Sequence, residues 1–318
     1  MSIGCAPHDH GSALRHDAFI YAGDEEFLAG AVAFARAALA AGDPCIVALD
    51  AGKSELLRRG LGGDAGELHY LDIREVGANP ARLIPAWRRL IDGRNAEGRR
   101  IWGLGEAVWP GRSEPEVAEC HRHEALVNVA FADVPALSLL CGYDSAALAP
   151  EVIAAARRTH PTVLEDGVRR ASSDYAGLAE GAGSFRDPLP EPRALARTFA
   201  FGPAELTEIR SLVERRALAA GLTRERREDI VLAVNEIATN SIRHAGGSGV
   251  LRIWREPEAL ICEVADDGRI DDPMAGRERP DGAQIGGYGL WLVNQVCDLV
   301  QVRSGAHGST VRVHMRTL

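Results

Sequence analysis

The chain has 318 residues, 46% of them hydrophobic and 25% charged, a globular composition too long for one ordinary core, so two domains are expected. A formal charge of −9 excludes a broad electrostatic footprint for nucleic acid. No apolar run reaches the length a bilayer needs, and residues 1–17 lack the basic-then-apolar form of a signal peptide, so a cytoplasmic location is expected.

The first half alternates short apolar runs with helical patterns. Strands are expected at 18–22, 45–50, 68–73, 100–106 and 137–144, and helices at 25–41, 80–93 and 114–131. Continuous apolar strands separated by helices predict a largely parallel sheet covered on both faces, an α/β domain. The stretch AGKSELL (51–57) fails as a phosphate loop, because the first glycine of G-x-x-x-x-G-K-[ST] would fall at Val47. Gly52 and Ser54 read instead as a turn and helix start. Glu106, ending an apolar run beside Trp102 and Trp109, is a candidate for a signal-sensing pocket.

In ECHRHE (119–124), Glu119 and His123 are four apart, with Cys120, His121 and Glu124 crowding the same stretch. Two or three metal ligands could converge there. No second ligand pair of suitable spacing accompanies them, so polar surface or interdomain contacts are the preferred reading. The six cysteines (Cys5, Cys45, Cys120, Cys141, Cys262 and Cys297) show no CxxC spacing and several lie in apolar runs, which reads as reduced, mostly buried thiols.

Residues 171–195 combine small residues, glycines and three closely spaced prolines, as an interdomain connection does. Beyond it the order changes: helices at 203–221 and 231–245, strands at 249–256 and 259–268, a loop, a helix at 288–299, and two final strands. Helices bunched around hairpin-connected strands predict an α+β sandwich.

Four features of this second half carry chemistry. Glu236 and Asn240 share one side of a helix, a carboxylate suited to activating a hydroxyl and an amide oxygen suited to Mg²⁺. Asp266 and Gly268 end an apolar strand where backbone can turn closely around a ligand. Gly286, Gly287 and Gly289 lead into a helix whose N-terminus suits phosphate oxygens. Ser309 and Thr310 stand at the head of the final strand. The irregular, polar stretch 269–285 between them is a candidate lid, from which Arg277 or Arg279 could reach a γ-phosphate.

Each signal alone is weak, but their order resembles the nucleotide boxes of the GHKL (Bergerat-type) superfamily of gyrases, chaperones, histidine kinases and mismatch-repair proteins, over roughly residues 195–318. VNEIATNSIRHA is most similar to the anti-sigma serine kinases of the RsbA/RsbW type. The resemblance implies ATP and Mg²⁺ as cofactors, with Asn240 the metal ligand and Glu236 the general base. It further implies that Asp266 reads the adenine amino group, that Gly268 lets the base approach, that Gly287, Gly289 and Leu290 border the triphosphate, and that Ser309 or Thr310 completes the adenine pocket. His244 matches a family position. In the first half HDAFIYAGDEEFLAG, GEAVWPGRS, ECHRHEALVN, CGYD and THPTV, in that order, resemble the MEDS sensory domain, which implies a RecA-like α/β fold without a P-loop and a regulatory role.

The expected organisation is therefore a sensory domain at 12–170, a linker at 171–195 and an ATPase domain at 196–318. The resemblance implies an anti-sigma regulator that holds a sigma factor and phosphorylates a STAS-type anti-anti-sigma partner, with a homodimer expected and no direct contact to nucleic acid or membrane. A sensor histidine kinase is disfavoured, because residues 165–202 contain no histidine to accept phosphate. A module that sequesters its partner without phosphorylating it is the remaining alternative, and Glu236 argues against it.

Overall fold

The computed structural model describes residues 14–93, 99–134, 136–177, 183, 185–280 and 287–317. The chain folds as two compact units, residues 1–181 and 182–318.

The first unit is built on a seven-stranded sheet in the order β3-β2-β4-β5-β1-β6-β7. Its strands are β1 (Arg15–Tyr21), β2 (Cys45–Leu49), β3 (His69–Asp72), β4 (Ile101–Gly105), β5 (Leu137–Asp144), β6 (Thr162–Glu165) and β7 (Val168–Ala171). Every pairing is parallel except the terminal β6–β7 hairpin. Burial of β1 alternates between faces. Phe19 and Tyr21 pack with α1 (Gly23–Ala40) and α2 (Ala51–Leu61), through Phe27, Ala31 and Leu57. Ala18 and Ile20 pack on the other face with Cys120 of α5 (Glu114–Ala130) and with Val152 and Ala156 of α6 (Pro150–Thr159). Both faces of the central strands are covered, which is why β2, β4 and most of β5 read as continuous apolar runs rather than alternating. Two further helices, α3 (Ile73–Val76) and α4 (Leu83–Asp92), complete the unit.

The helix start expected at 51–57 is the start of α2. Gly52 and Ser54 lie within its first turn, and Asp50 is the cap, its carboxylate accepting from Lys53 N at 2.9 Å.

The second unit is a five-stranded antiparallel sheet, β11-β12-β10-β9-β8. Its strands are β8 (Arg197–Phe201), β9 (Gly249–Glu256), β10 (Ala259–Asp266), β11 (Leu299–Gly305) and β12 (Gly308–Arg316). Helices α7 (Leu206–Ala219), α8 (Arg224–His244) and α9 (Tyr288–Val296) share one core with it. Ile209 and Val213, Val234 and Ile237, and Val293 meet Cys262, Val264, Val311 and Val313 there. The opposite side of the sheet carries polar side chains, where Glu263 takes Arg312 Nε at 2.8 Å and Arg252 Nη1 at 3.1 Å.

Part of the stretch read as a connection packs on this second unit. Phe185 enters its core, Arg312 Nη2 donates to Pro190 O at 2.8 Å, and Arg252 Nη2 pairs with Glu191 at 2.5 Å. Composition hid this, because prolines mark an irregular backbone whether or not it is anchored. Among the described residues no helix is long and apolar enough to cross a membrane. Cys45, Cys120, Cys141, Cys262 and Cys297 are free thiols, all buried except the half-buried Cys141; Cys5 lies outside the described residues.

Candidate functional site in the second unit

Helix α8 opens at Thr223, whose hydroxyl accepts from Arg226 N at 3.3 Å, and runs 21 residues to His244, which is exposed. Ile230, Ala233, Val234, Ile237, Ala238 and Ser241 form its buried face. Glu236 and Asn240 stand at the margin of that face, half-buried and one turn apart. Opposite them is the first turn of α9. A β-carbon built on Gly289 would lie 2.9 Å from Asn240 Nδ2 and 3.4 Å from Glu236 Oε2. The carboxylate, the amide and the bare glycine therefore border one space.

The end of β10 approaches from the sheet. In the β10–β12 register Asp266 stands opposite Ser309 and Ala265 opposite Thr310. Strand alternation puts Asp266 and Ser309 on the helix-covered face with Val264 and Val311, and turns Thr310 to the other face. Asp266 Oδ2 accepts from Ser241 Oγ at 2.5 Å, and Oδ1 accepts from Gly268 N at 2.9 Å. Ser309 Oγ donates to Gly268 O at 2.9 Å and lies 2.9 Å from Ser304 Oγ, which itself accepts from Ile270 N at 2.8 Å. These bonds hold the Asp-x-Gly turn in one conformation. Gly268 is also needed for packing, since a β-carbon there would meet Ala245 Cβ at 2.5 Å.

The two candidate arginines are placed differently. Arg277 is buried, in a turn where Arg277 N donates to Met274 O at 2.8 Å and Asn294 Nδ2 of α9 donates to Gly276 O at 2.9 Å. Arg279 is exposed, its guanidinium 5.9 Å from the Trp291 ring. Gly287 caps α9 with φ of 87°, beside Pro280, and Tyr288 OH donates to Pro280 O at 3.0 Å. Leu290 packs half-buried on the core and against Gly276. Gly286 and the lid residues 281–285 lie outside the described residues.

In the first unit, Glu106 sits just past β4 and is 3% exposed. Lys53 Nζ reaches both its oxygens, at 2.7 and 2.8 Å, and Tyr21 OH donates to Oε1. Burial pushes the Glu106 carboxyl above the usual range, and the Lys53 ammonium pulls it part of the way back. The neighbouring tryptophans of the sequence point elsewhere. Trp102 Nε1 donates to Asp43 at 3.0 Å, and Trp109 lies under the Arg112 guanidinium at 3.4 Å. The aromatic wall near Glu106 is Trp87, which lines a cavity of about 20 Å³ with Glu106, Glu124 and Cys141. In the ECHRHE stretch Cys120 Sγ donates to Ala107 O at 3.3 Å and Glu119 pairs with Arg122 at 3.7 Å. Glu119, Cys120 and His123 form no ligand group among the described residues.

Two family models match the chain. The methanogen/methylotroph DcmR sensory domain, MEDS, covers residues 15–161, and the histidine kinase-like ATPase domain covers residues 199–315. This chain joins a MEDS domain to a histidine kinase-like ATPase domain.

Solved structures with partial similarity include the RsbU and RsbW domains of Rv1364c from Mycobacterium tuberculosis, at 15% identity, TM-score 0.30 and 39% of this chain. The Acinetobacter baumannii histidine kinase AdeS matches at 13% identity and TM-score 0.24, over 38% of this chain and 68% of that one. The chain spans about a third (32%) of the mycobacterial structure. No curated protein matches significantly.

Within the ATPase domain, Ser241 and Ser304 hold the turn around Asp266 and Gly268, and the sequence reading missed both. Ser241 carried a signal, a hydroxyl four residues after Ile237 on an otherwise apolar helix face. Ser304 is singled out only by its pairing with Ser309 across the β11–β12 hairpin.

Proposed function

We propose that the chain is an anti-sigma regulatory factor that binds Mg·ATP, holds a sigma factor and phosphorylates a serine or threonine of a STAS-type partner in the cytoplasm. The observation that carries this reading is the meeting of Glu236 and Asn240 with Gly289 at the head of α9, in the same domain as the buttressed Asp266.

The donor set fits a magnesium nucleotide. Asn240 offers a hard amide oxygen, and the α9 N-terminus offers backbone N–H groups over a glycine that leaves room for phosphate. Bound Mg·ATP supplies the transferable phosphoryl group and the metal charge that offsets its oxygens. Glu236 accepts the proton of the attacking hydroxyl as the new O–P bond forms and ADP leaves. Asp266 accepts from the adenine amino group through lone pairs not used by Ser241 and Gly268 N. Ser309, facing the same side of the sheet, closes that end of the pocket; the opposite face holds Thr310. Gly287, Gly289 and Leu290 border the triphosphate. Arg279, exposed, is the arginine offered to the γ-phosphate, while Arg277 is buried in a turn tied to α9 through Gly276 O.

The MEDS domain then biases the switch between partners, an allosteric role that requires its ligand to distinguish two states. A homodimer through the ATPase domain belongs to the same reading. Incubation with labelled ATP, Mg²⁺ and a candidate STAS partner tests it. Label on the partner, lost in Glu236→Gln with nucleotide binding kept, supports the kinase. Nucleotide-dependent binding of the partner without label assigns a sequestering module instead.

A further inference from the structure

The geometry points to a transition-metal site of Zn²⁺ type inside the MEDS domain, formed by His16, Glu124, Cys141 and His160. Its four ligand atoms come from four elements: His16 from β1, Glu124 from α5, Cys141 from β5, and His160 from the residue after α6. They all lie within 4.8 Å of one another. Three of the edges are known. His16 Nε2 is 3.1 Å from Glu124 Oε2 and 3.4 Å from Cys141 Sγ, and His160 Nε2 is 3.4 Å from Glu124 Oε2. A tetrahedron with zinc bonds of about 2.0–2.3 Å has edges of roughly 3.3–3.8 Å, so the cluster needs only small adjustments to close around an ion.

Hydrogen bonding makes the case that these atoms await a cation. Asn128 Nδ2 donates to Glu124 O at 3.2 Å and Thr159 O at 2.9 Å, which turns its Oδ1 toward His16 Nδ1 at 3.1 Å. His16 Nδ1 is therefore the protonated nitrogen. His160 Nδ1 likewise donates to Ala156 O at 2.8 Å. Both rings are thus anchored by their Nδ1–H groups, as metal-bound imidazoles are, and both turn bare Nε2 atoms toward a carboxylate. His160 Nε2 is wholly buried and faces the Glu124 carboxylate at 3.4 Å.

Among the four facing groups only the Cys141 thiol has a hydrogen to give. Protonating one ring would give Glu124 a single N–H donor and leave the other Nε2 bare against the same carboxylate, and protonating both would place two imidazolium ions with centroids 4.0 Å apart in a dry interior. A divalent ion resolves the conflict. Its two positive charges balance the Glu124 carboxylate and the Cys141 thiolate, leaving a neutral buried unit, and the thiol proton leaves for solvent when the metal–sulfur bond forms. The mixed nitrogen, sulfur and oxygen set suits Zn²⁺ rather than Mg²⁺ or Ca²⁺. The cavity of about 20 Å³ touches Glu124 and Cys141 and has room for about one water beside the ion.

The test uses the full chain, purified from cells supplied with Zn²⁺, with metal content measured by plasma mass spectrometry. About one Zn²⁺ per chain is expected, falling to below about 0.1 in Cys141→Ser and in His160→Gln. Metal-free chain titrated with Co²⁺ should develop a thiolate-to-cobalt charge-transfer band and the intense visible bands of tetrahedral cobalt, with the charge-transfer band lost in Cys141→Ser. A chain that carries no stoichiometric metal and shows no such band with Co²⁺ overturns the proposal. So does a full zinc content that persists in folded Cys141→Ser and His160→Gln. Where a variant does not fold, the metal content and cobalt spectrum of the natural chain decide.

Discussion

A side chain at position 289 and the amide of Asn240 cannot occupy their present places together, because a β-carbon on Gly289 would stand 2.9 Å from Asn240 Nδ2. Gly289 lies inside α9, where alanine is favoured over glycine by up to about 1 kcal/mol. Gly289→Ala should therefore leave the thermal midpoint unchanged or raise it, while the displaced amide lowers Mg²⁺-dependent ATP affinity about tenfold or more. Calorimetric titration beside thermal unfolding checks both halves. Unchanged affinity would mean that the space between α8 and α9 is not where the phosphates sit.

If Asn240 is the metal ligand proposed above, Asn240→Ala should resemble Gly289→Ala in binding, one removing the amide by deletion and the other by displacement. The double variant should then bind no more weakly than the poorer single variant. Additive losses would argue that the two residues serve different ends of the ligand.

Adenine recognition by Asp266 predicts a change in selectivity rather than a uniform loss. Asp266→Asn should reduce the preference for ATP over GTP by about 1.5–3 kcal/mol, the usual worth of a hydrogen bond to a charged group. Ser241→Ala should weaken ATP binding less, since it frees an oxygen of Asp266 without removing it. Competition of ATP and GTP for a fluorescent nucleotide measures both.

In the MEDS domain, Lys53→Met should destabilise by about 3 kcal/mol, because it leaves the Glu106 carboxylate buried without its cation. Adding Glu106→Gln should recover much of the loss. The Glu106 carboxyl is held above its ordinary range in the folded chain, so the folded state keeps this proton to higher pH than the unfolded state does. Its contribution to stability is therefore full below the ordinary carboxylate pKa and declines as pH rises through the folded value. Glu106→Gln should abolish that decline in denaturant titrations run from pH 4 upward.

Burial pushes the thiols of Cys45 and Cys120 up to about 12. The thiolate is the reactive form, so neither should react with an aromatic disulfide reagent at neutral pH until the chain unfolds. Mass mapping of labelled peptides with and without denaturant checks this; rapid labelling of either thiol in the native chain would contradict its packing.

Much of both folds was legible in the sequence. Runs such as CIVAL (45–49) and LSLLCGYD (137–144) are buried on both faces and carry no competing pattern, so their strands were plain. The boxes around Glu236, Asp266 and Gly289 were legible because each pairs a chemical group with a backbone requirement. Other elements were obscured by composition. The β6–β7 hairpin is short, and all four residues of β7 are exposed, so it shows no alternation. Helix α2 follows a motif that draws attention to phosphate binding and away from its Asp50 cap. The ligand-type cluster was invisible for a different reason. His16, Glu124, Cys141 and His160 are separated by up to 144 positions and meet only because β1 lies between β5 and β6. Sequence spacing pointed to neighbours of Glu124 on its own helix, whereas the sheet order supplied its partners.

Gly308 adopts φ of 108°, and a β-carbon there would come within 2.0 Å of Asp266 O. The tip of the β11–β12 hairpin is thus pressed against the backbone of the turn that carries Asp266, with no atom to spare between them. Any bulk added at this tip pries the two strand ends apart, so a substitution on the far side of the hairpin would be felt as a shift of the Asp266 turn, with none of that turn's own side chains altered.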